Sequence, residues 1–179
     1  MHPRIREVLA SLEASDAELR EAVGEVPAGA RGQRPSTDRW SVAEVIDHLA
    51  LVEQSVARLI RQRAAEAHVG PDGEETPIAP TFDSTRVRDR RQPRVARDAI
   101  QPRTGIDESA AWAHLESAKQ ALRDTLSTVD GLALCDVSAP HPAFGPLNLY
   151  QWFLFVAAHK ARHTDQVREI GASLRATQP

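Results

Sequence analysis

The sequence predicts an all-α fold, a four-helix bundle in up-down-down-up order, and three observations carry that prediction. Four stretches of the 179-residue chain repeat apolar residues at three- and four-residue steps. Between the second and third, from Val69 to about Ile106, the period dissolves into prolines, glycines and charges. Histidines stand at inward positions of the second and fourth stretches, where leucines would be expected.

The bulk numbers agree with one domain spanning residues 1–179. Hydrophobic residues at 41% and charged residues at 26% suit a globular chain that buries a core. A net charge of -3 gives no global attraction toward nucleic acid or an anionic membrane. No window approaches the roughly 18 apolar residues of a membrane span, and the charged N-terminus lacks a signal-peptide core. The expectation is a cytoplasmic protein acting on a small molecule, with a homodimer allowed. The single cysteine, Cys135, is expected to be a small half-buried residue rather than a nucleophile.

Ile5, Val8, Leu12 and Leu19 set the first helix over residues 3–25, ended by Gly24 and Pro27. After a polar loop, Ser41 and Glu44 match a capping box, so the second helix begins at Trp40 or Ser41. Its stripe is Val45, His48, Leu49, Val52, Val56 and Leu59. The irregular segment follows, with short extended pieces expected at TPIAPTF and RVARDAI. Trp112, Leu115, Ala118, Leu122 and Leu126 define a third helix over residues 107–129, with Asp107 as N-cap. DGLALCDVSAPHPAFGP reads as turns. Asn148, with Gln151 three residues on, caps the fourth helix, NLYQWFLFVAAHKARHTDQVREI.

His159 and His163 are four residues apart on that last helix, so their Cβ atoms lie roughly 5–6 Å apart and both imidazoles can reach one ion. His48 is the third candidate ligand. It lies about 10 Å into its helix at about 1.5 Å per residue, and His163 lies about as far from the end of its own. The three meet at one level only if these two helices run antiparallel. The second and third helices are then parallel, the irregular segment is their crossover, and part of it, QPRTG included, returns beside the site.

Glu44, one turn before His48, is a candidate general base or orienting group, although its cap role already accounts for it. The seven arginines Arg86, Arg88, Arg90, Arg91, Arg94, Arg97 and Arg103 cluster in the crossover. Such a run is usually solvated; where it faces the site, and Arg103 is the candidate, it would contact an anionic cosubstrate. His141 is expected at the opposite end of the bundle, and His2, His68 and His114 receive no role. A divalent metal, zinc foremost with nickel, manganese or iron as alternatives, is the expected cofactor.

WSVAEVIDHL and HPAFGPLNLYQWFLFVAAHKARHTDQV resemble the second- and fourth-helix signatures of the DinB-like helical bundles, the DinB/YfiT-like metalloenzymes. The resemblance implies the up-down-down-up bundle and a three-histidine metal site, falling here on His48, His159 and His163. It also implies transfer or isomerisation chemistry with a low-molecular-weight thiol such as bacillithiol or mycothiol. The expected function is therefore a metal-dependent thiol S-transferase. The alternatives are a hydrolase using a metal-bound water and a bundle that binds without catalysis.

Overall fold

Local signals place the helix starts. A computed structural model describes residues 1–70, 78–91 and 96–176. Helix α1 (Pro3–Gly24) begins at a proline, with the His2 ring accepting the Arg4 N–H at 3.2 Å. Helix α2 (Val42–Ala64) carries the full Ser41–Glu44 capping box. A short helix α3 (Ser84–Arg88) lies in the crossover. Helix α4 (Glu108–Thr128) is capped by Asp107. Helix α5 (Leu149–Ala176) starts on a reciprocal pair: Gln151 N–H donates to Asn148 Oδ1 at 2.8 Å, and Asn148 N–H to Gln151 Oε1 at 3.0 Å. Among the described residues no helix is long and apolar enough to cross a membrane.

Side-chain contacts fix the directions. Arg4 lies over Tyr150 and Asp16 pairs with Lys160, so α1 and α5 are parallel. Asp47 meets His114 and Arg61 meets Thr125, so α2 and α4 are parallel. His48 neighbours His163 while Glu53 meets Lys160, so α2 and α5 are antiparallel. The order is up-down-down-up, with the crossover between α2 and α4. At the end of the α1–α5 contact a Cβ on Gly171 would come within 2.9 Å of Val26 Cγ2, so a residue without a side chain is needed there.

Two apolar cores fill the bundle, and a charged layer separates them. One core holds Ile5, Val8, Leu12, Val56, Leu122 and Phe153; the other holds Leu19, Val45, Ile46, Leu115, Val167 and Ile170. Between them each long helix contributes one charge: Asp16, Glu53, Lys119 and Lys160. The Lys160 ammonium meets Asp16 and, at 2.7 Å, Glu53; Lys119 reaches Asp16 at 2.8 Å. Glu53 and Lys160 are each only 1% exposed.

The structure corrects three sequence expectations. The DGLALCDVSAPHPAFGP stretch contains an antiparallel hairpin, β1 (Ser138–His141) with β2 (Gly145–Asn148). Its three-residue turn is closed by Gly145 at φ 78°, a conformation open to glycine. Within TPIAPTF and RVARDAI the described residues form 3₁₀ turns at Ala79–Thr81 and Asp98–Ile100 rather than extended pieces. Thr76, Pro77, Arg94 and Val95 lie outside the described residues. Cys135 is exposed because Leu134 takes the inward position. Partial burial and neighbouring Asp136 push its thiol pKa up, away from thiolate chemistry.

Candidate metal centre

The inward stripes of α2 and α5 bring His48, His159 and His163 together, with ligand atoms all within 4.8 Å of one another. His159 Nε2 and His163 Nε2 are 3.2 Å apart, close to the ~3.3 Å edge of a tetrahedron with metal–nitrogen bonds of ~2.0–2.1 Å. The outer ring nitrogens are already committed. His48 Nδ1 lies 2.7 Å from the Ile100 carbonyl, and His163 Nδ1 lies 2.7 Å from Gln166 Oε1. With Gln166 assigned by that network, both oxygens are acceptors, so both Nδ1 atoms carry the proton and both Nε2 atoms present bare lone pairs.

His159 Nε2 beside these lone pairs completes a donor set that suits a cation. A proton is a poor one here: burial, followed by the neighbouring imidazoles, pushes the pKa of His159 well below its usual value. Burial likewise depresses His163 strongly, and it lowers His48. Neutral imidazoles with oriented Nδ1–H groups suit a divalent metal. The described residues add no fourth His, Cys, Asp or Glu to the cluster, so a metal held here keeps coordination positions open toward the cavity, as catalytic zinc sites do.

The Ile100 carbonyl is held in place by a clamp. Asp47, fully buried beside His48, accepts from Arg103 N at 2.9 Å, Arg103 Nη2 at 2.6 Å and His114 Nδ1 at 2.7 Å. Glu44 accepts from Gly105 N at 3.0 Å, from Ser41 N at 2.8 Å and from the Arg34 guanidinium. The 3₁₀ turn ending at Ile100 is thus fastened to the first turns of α2. Arg103 therefore spends its guanidinium on Asp47 and does not line the cavity. The Glu44 carboxylate is 1% exposed and fully engaged, which removes it from a general-base role. His114, given no role from sequence, is part of this clamp.

Burial would raise the Asp47 pKa, but Arg103 and then His114 hold it at about 2 against an ordinary 3.8. A depressed carboxylate stabilises the fold above its unfolded pKa and loses that contribution as the proton binds. Asp47→Asn is therefore expected to cost about 2 kcal/mol at neutral pH. In urea titrations the gap to wild type should close between about pH 4 and pH 2. The substitution should also weaken metal affinity about 10–100-fold by loosening His48; unchanged affinity would sever the clamp from the site.

The histidines open into a cavity of about 930 Å³. Trp40 lies 4.9 Å from the His48 ring and 6.3 Å from that of His163, forming one wall. The other wall corrects the placement of His141. The hairpin folds back along α5, so His141 stacks near Phe155 at 4.6 Å, and Phe155 sits 5.4 Å from His159. His141 lines the same cavity as the three histidines instead of the far end of the bundle. Gln166, Asp47, Trp40 and the Ile100 carbonyl were missed from sequence. Gln166 at three residues beyond His163 was the only one of these with a local helical-spacing signal.

A four-helix bundle with three histidines on an interior cavity defines a helical metal-binding class. The chain belongs to the DinB superfamily, whose family profile matches residues 11–167; this is a superfamily of metal-binding proteins. It is 28% identical over 139 residues to the uncharacterized protein YuaE of Bacillus subtilis (strain 168), covering 77% of this chain and 81% of that one. The solved structure of TT2238, a four-helix bundle protein, superposes with a TM-score of 0.59 at 24% identity, covering 92% of this chain and 98% of the other. The latter likeness concerns the fold alone.

Proposed function

We propose that the chain is a metal-dependent enzyme that transfers the sulfur of a low-molecular-weight thiol to a small electrophile. The observation that carries this reading is the convergence of three neutral imidazoles on a cavity rather than on a closed core, with His48 and His163 presenting bare Nε2 atoms to it. A bound divalent ion, zinc by preference for this donor set, supplies Lewis acidity that lowers the pKa of a coordinated thiol or water. His48, His159 and His163 would hold it, while Trp40 and Phe155 narrow access of bulk water to the nucleophile.

The balance of the transfer is simple. The thiol proton leaves to solvent, sulfur bonds to the electrophilic carbon, and the leaving group departs with the electron pair of the broken bond. A thiol is favoured over water because carboxylates suited to general-base work are scarce. Glu44 and Asp47 are consumed by the clamp, and Asp38 is the one acid among the described lining residues. A thiolate, once formed, needs no further base.

Zinc-loaded protein is expected to accelerate conjugation of a small thiol to 1-chloro-2,4-dinitrobenzene, and His159→Ala should abolish the acceleration. Hydrolysis of a nitrophenyl ester without conjugation would replace this reading by the metal hydrolase. Bound metal with neither activity, across a panel of thiols and esters, would leave a non-catalytic binding bundle.

A further inference from the structure

The cavity has more room than one small thiol requires, and its walls have a definite chemistry. At about 930 Å³ it lies near the upper end of small-molecule sites, which run to ~1,000 Å³. Among the described residues four arginines, Arg39, Arg90, Arg97 and Arg162, line it against the single acid Asp38. Three of the four are engaged. Arg90 grips Glu169 through two hydrogen bonds of 2.8 and 2.6 Å, and Arg39 lies 3.6 Å from the same carboxylate. Arg162 donates to the Val87 and Asp89 carbonyls.

Arg97 differs from these. It immediately precedes the 3₁₀ turn whose Ile100 carbonyl orients His48, so its position is tied to the metal centre. Its side chain makes no hydrogen bond or ion pair with a described residue. Much of the remaining lining is apolar: Val52, Val56, Phe144, Trp152 and Phe155. Phe155 packs edge-on against Trp152 at 5.6 Å, offering an aromatic wall. A wholly apolar ligand would leave the Arg97 guanidinium unused, and a small inorganic anion would leave the aromatic wall wet.

Resting on the thiol-transfer reading, we propose that the second substrate, the electrophile, is an amphipathic organic anion. Its apolar body lies on Phe144, Trp152 and Phe155, and its carboxylate-type head is held by the guanidinium fork of Arg97, which suits planar oxyanions. Arg97 sets specificity by charge and leaves the chemistry to the histidines. The other three arginines, compensated by Glu169 and backbone carbonyls, keep the mouth electropositive and favour entry of an anion.

Trp40 and Trp152 line the cavity, so intrinsic fluorescence reports binding directly. Zinc-loaded and chelator-treated protein would each be titrated with 4-phenylbutyrate, its neutral counterpart 4-phenylbutanol, and acetate. The expected result is that phenylbutyrate binds about tenfold tighter than the alcohol, a preference of about 1.4 kcal/mol, and much tighter than acetate. Arg97→Ala should erase the preference without changing the affinity for the alcohol, and Arg97→Lys should keep part of it. Equal binding of acid and alcohol, a preference that survives Arg97→Ala, or acetate binding as well as phenylbutyrate would each overturn the proposal. The preference is expected with and without zinc. Its presence in protein that fails to conjugate thiols would overturn the transferase reading alone, whereas conjugation by a protein without the preference would overturn this inference alone.

Discussion

His159→Ala is expected to empty the metal centre: bound zinc should fall from about one equivalent per chain to below about 0.1, with thiol conjugation lost in parallel. His159 contributes one of three donors, and its Nε2 sits 3.2 Å from that of His163. Removing a donor should cost more than the 10–100-fold that follows from loosening a ligand's hydrogen-bonded support. The metal-free fold should survive. The side chain faces a cavity, so its removal leaves no sealed void. Urea unfolding of metal-free wild type and variant should agree within about 1 kcal/mol. A large loss of stability with zinc retained would make His159 a packing residue.

Lys160→Met is expected to cost about 3–5 kcal/mol in equilibrium unfolding, because it strands a buried carboxylate. Asp16 keeps Lys119 at 2.8 Å, but Glu53 has Lys160 as its ion partner at 2.7 Å and neither of its oxygens has a well-directed hydrogen bond. Burial already raises the Glu53 pKa, with Lys160 opposing the rise. In the variant the carboxyl should titrate higher still. A group with a raised folded pKa stabilises below its unfolded value and loses that contribution as pH rises through the folded one. The deficit should therefore shrink on acidification. Glu53→Gln alone should cost less, since Lys160 retains Asp16, and Glu53→Gln with Lys160→Met should recover much of the single-variant loss. Additive losses at all pH values would dissolve the coupling.

What was legible in the sequence was local. Ser41 with Glu44, Asp107, and Asn148 with Gln151 each act over two or three residues, and each caps the helix expected of it. The bundle order was legible because His48 and His163 had to meet at one level, and that fixed α2 against α5. The clamp was not legible, because Asp47 meets Arg103 across 56 positions and nothing local marks the pairing. His141 was misplaced because it precedes the start of α5, about 22 Å along the helix axis from His163 at about 1.5 Å per residue, while the chain pairs as a hairpin and returns along α5.

Lys160 and Arg162 were passed over for a different reason. A single apolar stripe implies a solvated back, but α5 is enclosed on several sides by α1, α2, α3 and β2. Its charged residues therefore became interior: Lys160 joined the layer between the two cores, and Arg162 ties the crossover to the helix. The spacing identified the metal-facing side and gave no sign that the opposite side was covered as well.

The most direct measurement is metal analysis, with X-ray absorption, of protein purified without an affinity tag or added metal. The account predicts about one divalent ion per chain, with a nitrogen shell containing three imidazoles at about 2.0–2.1 Å if the ion is zinc, and its loss in His159→Ala. Substoichiometric metal, unchanged by that substitution and not restored by adding zinc, would contradict it.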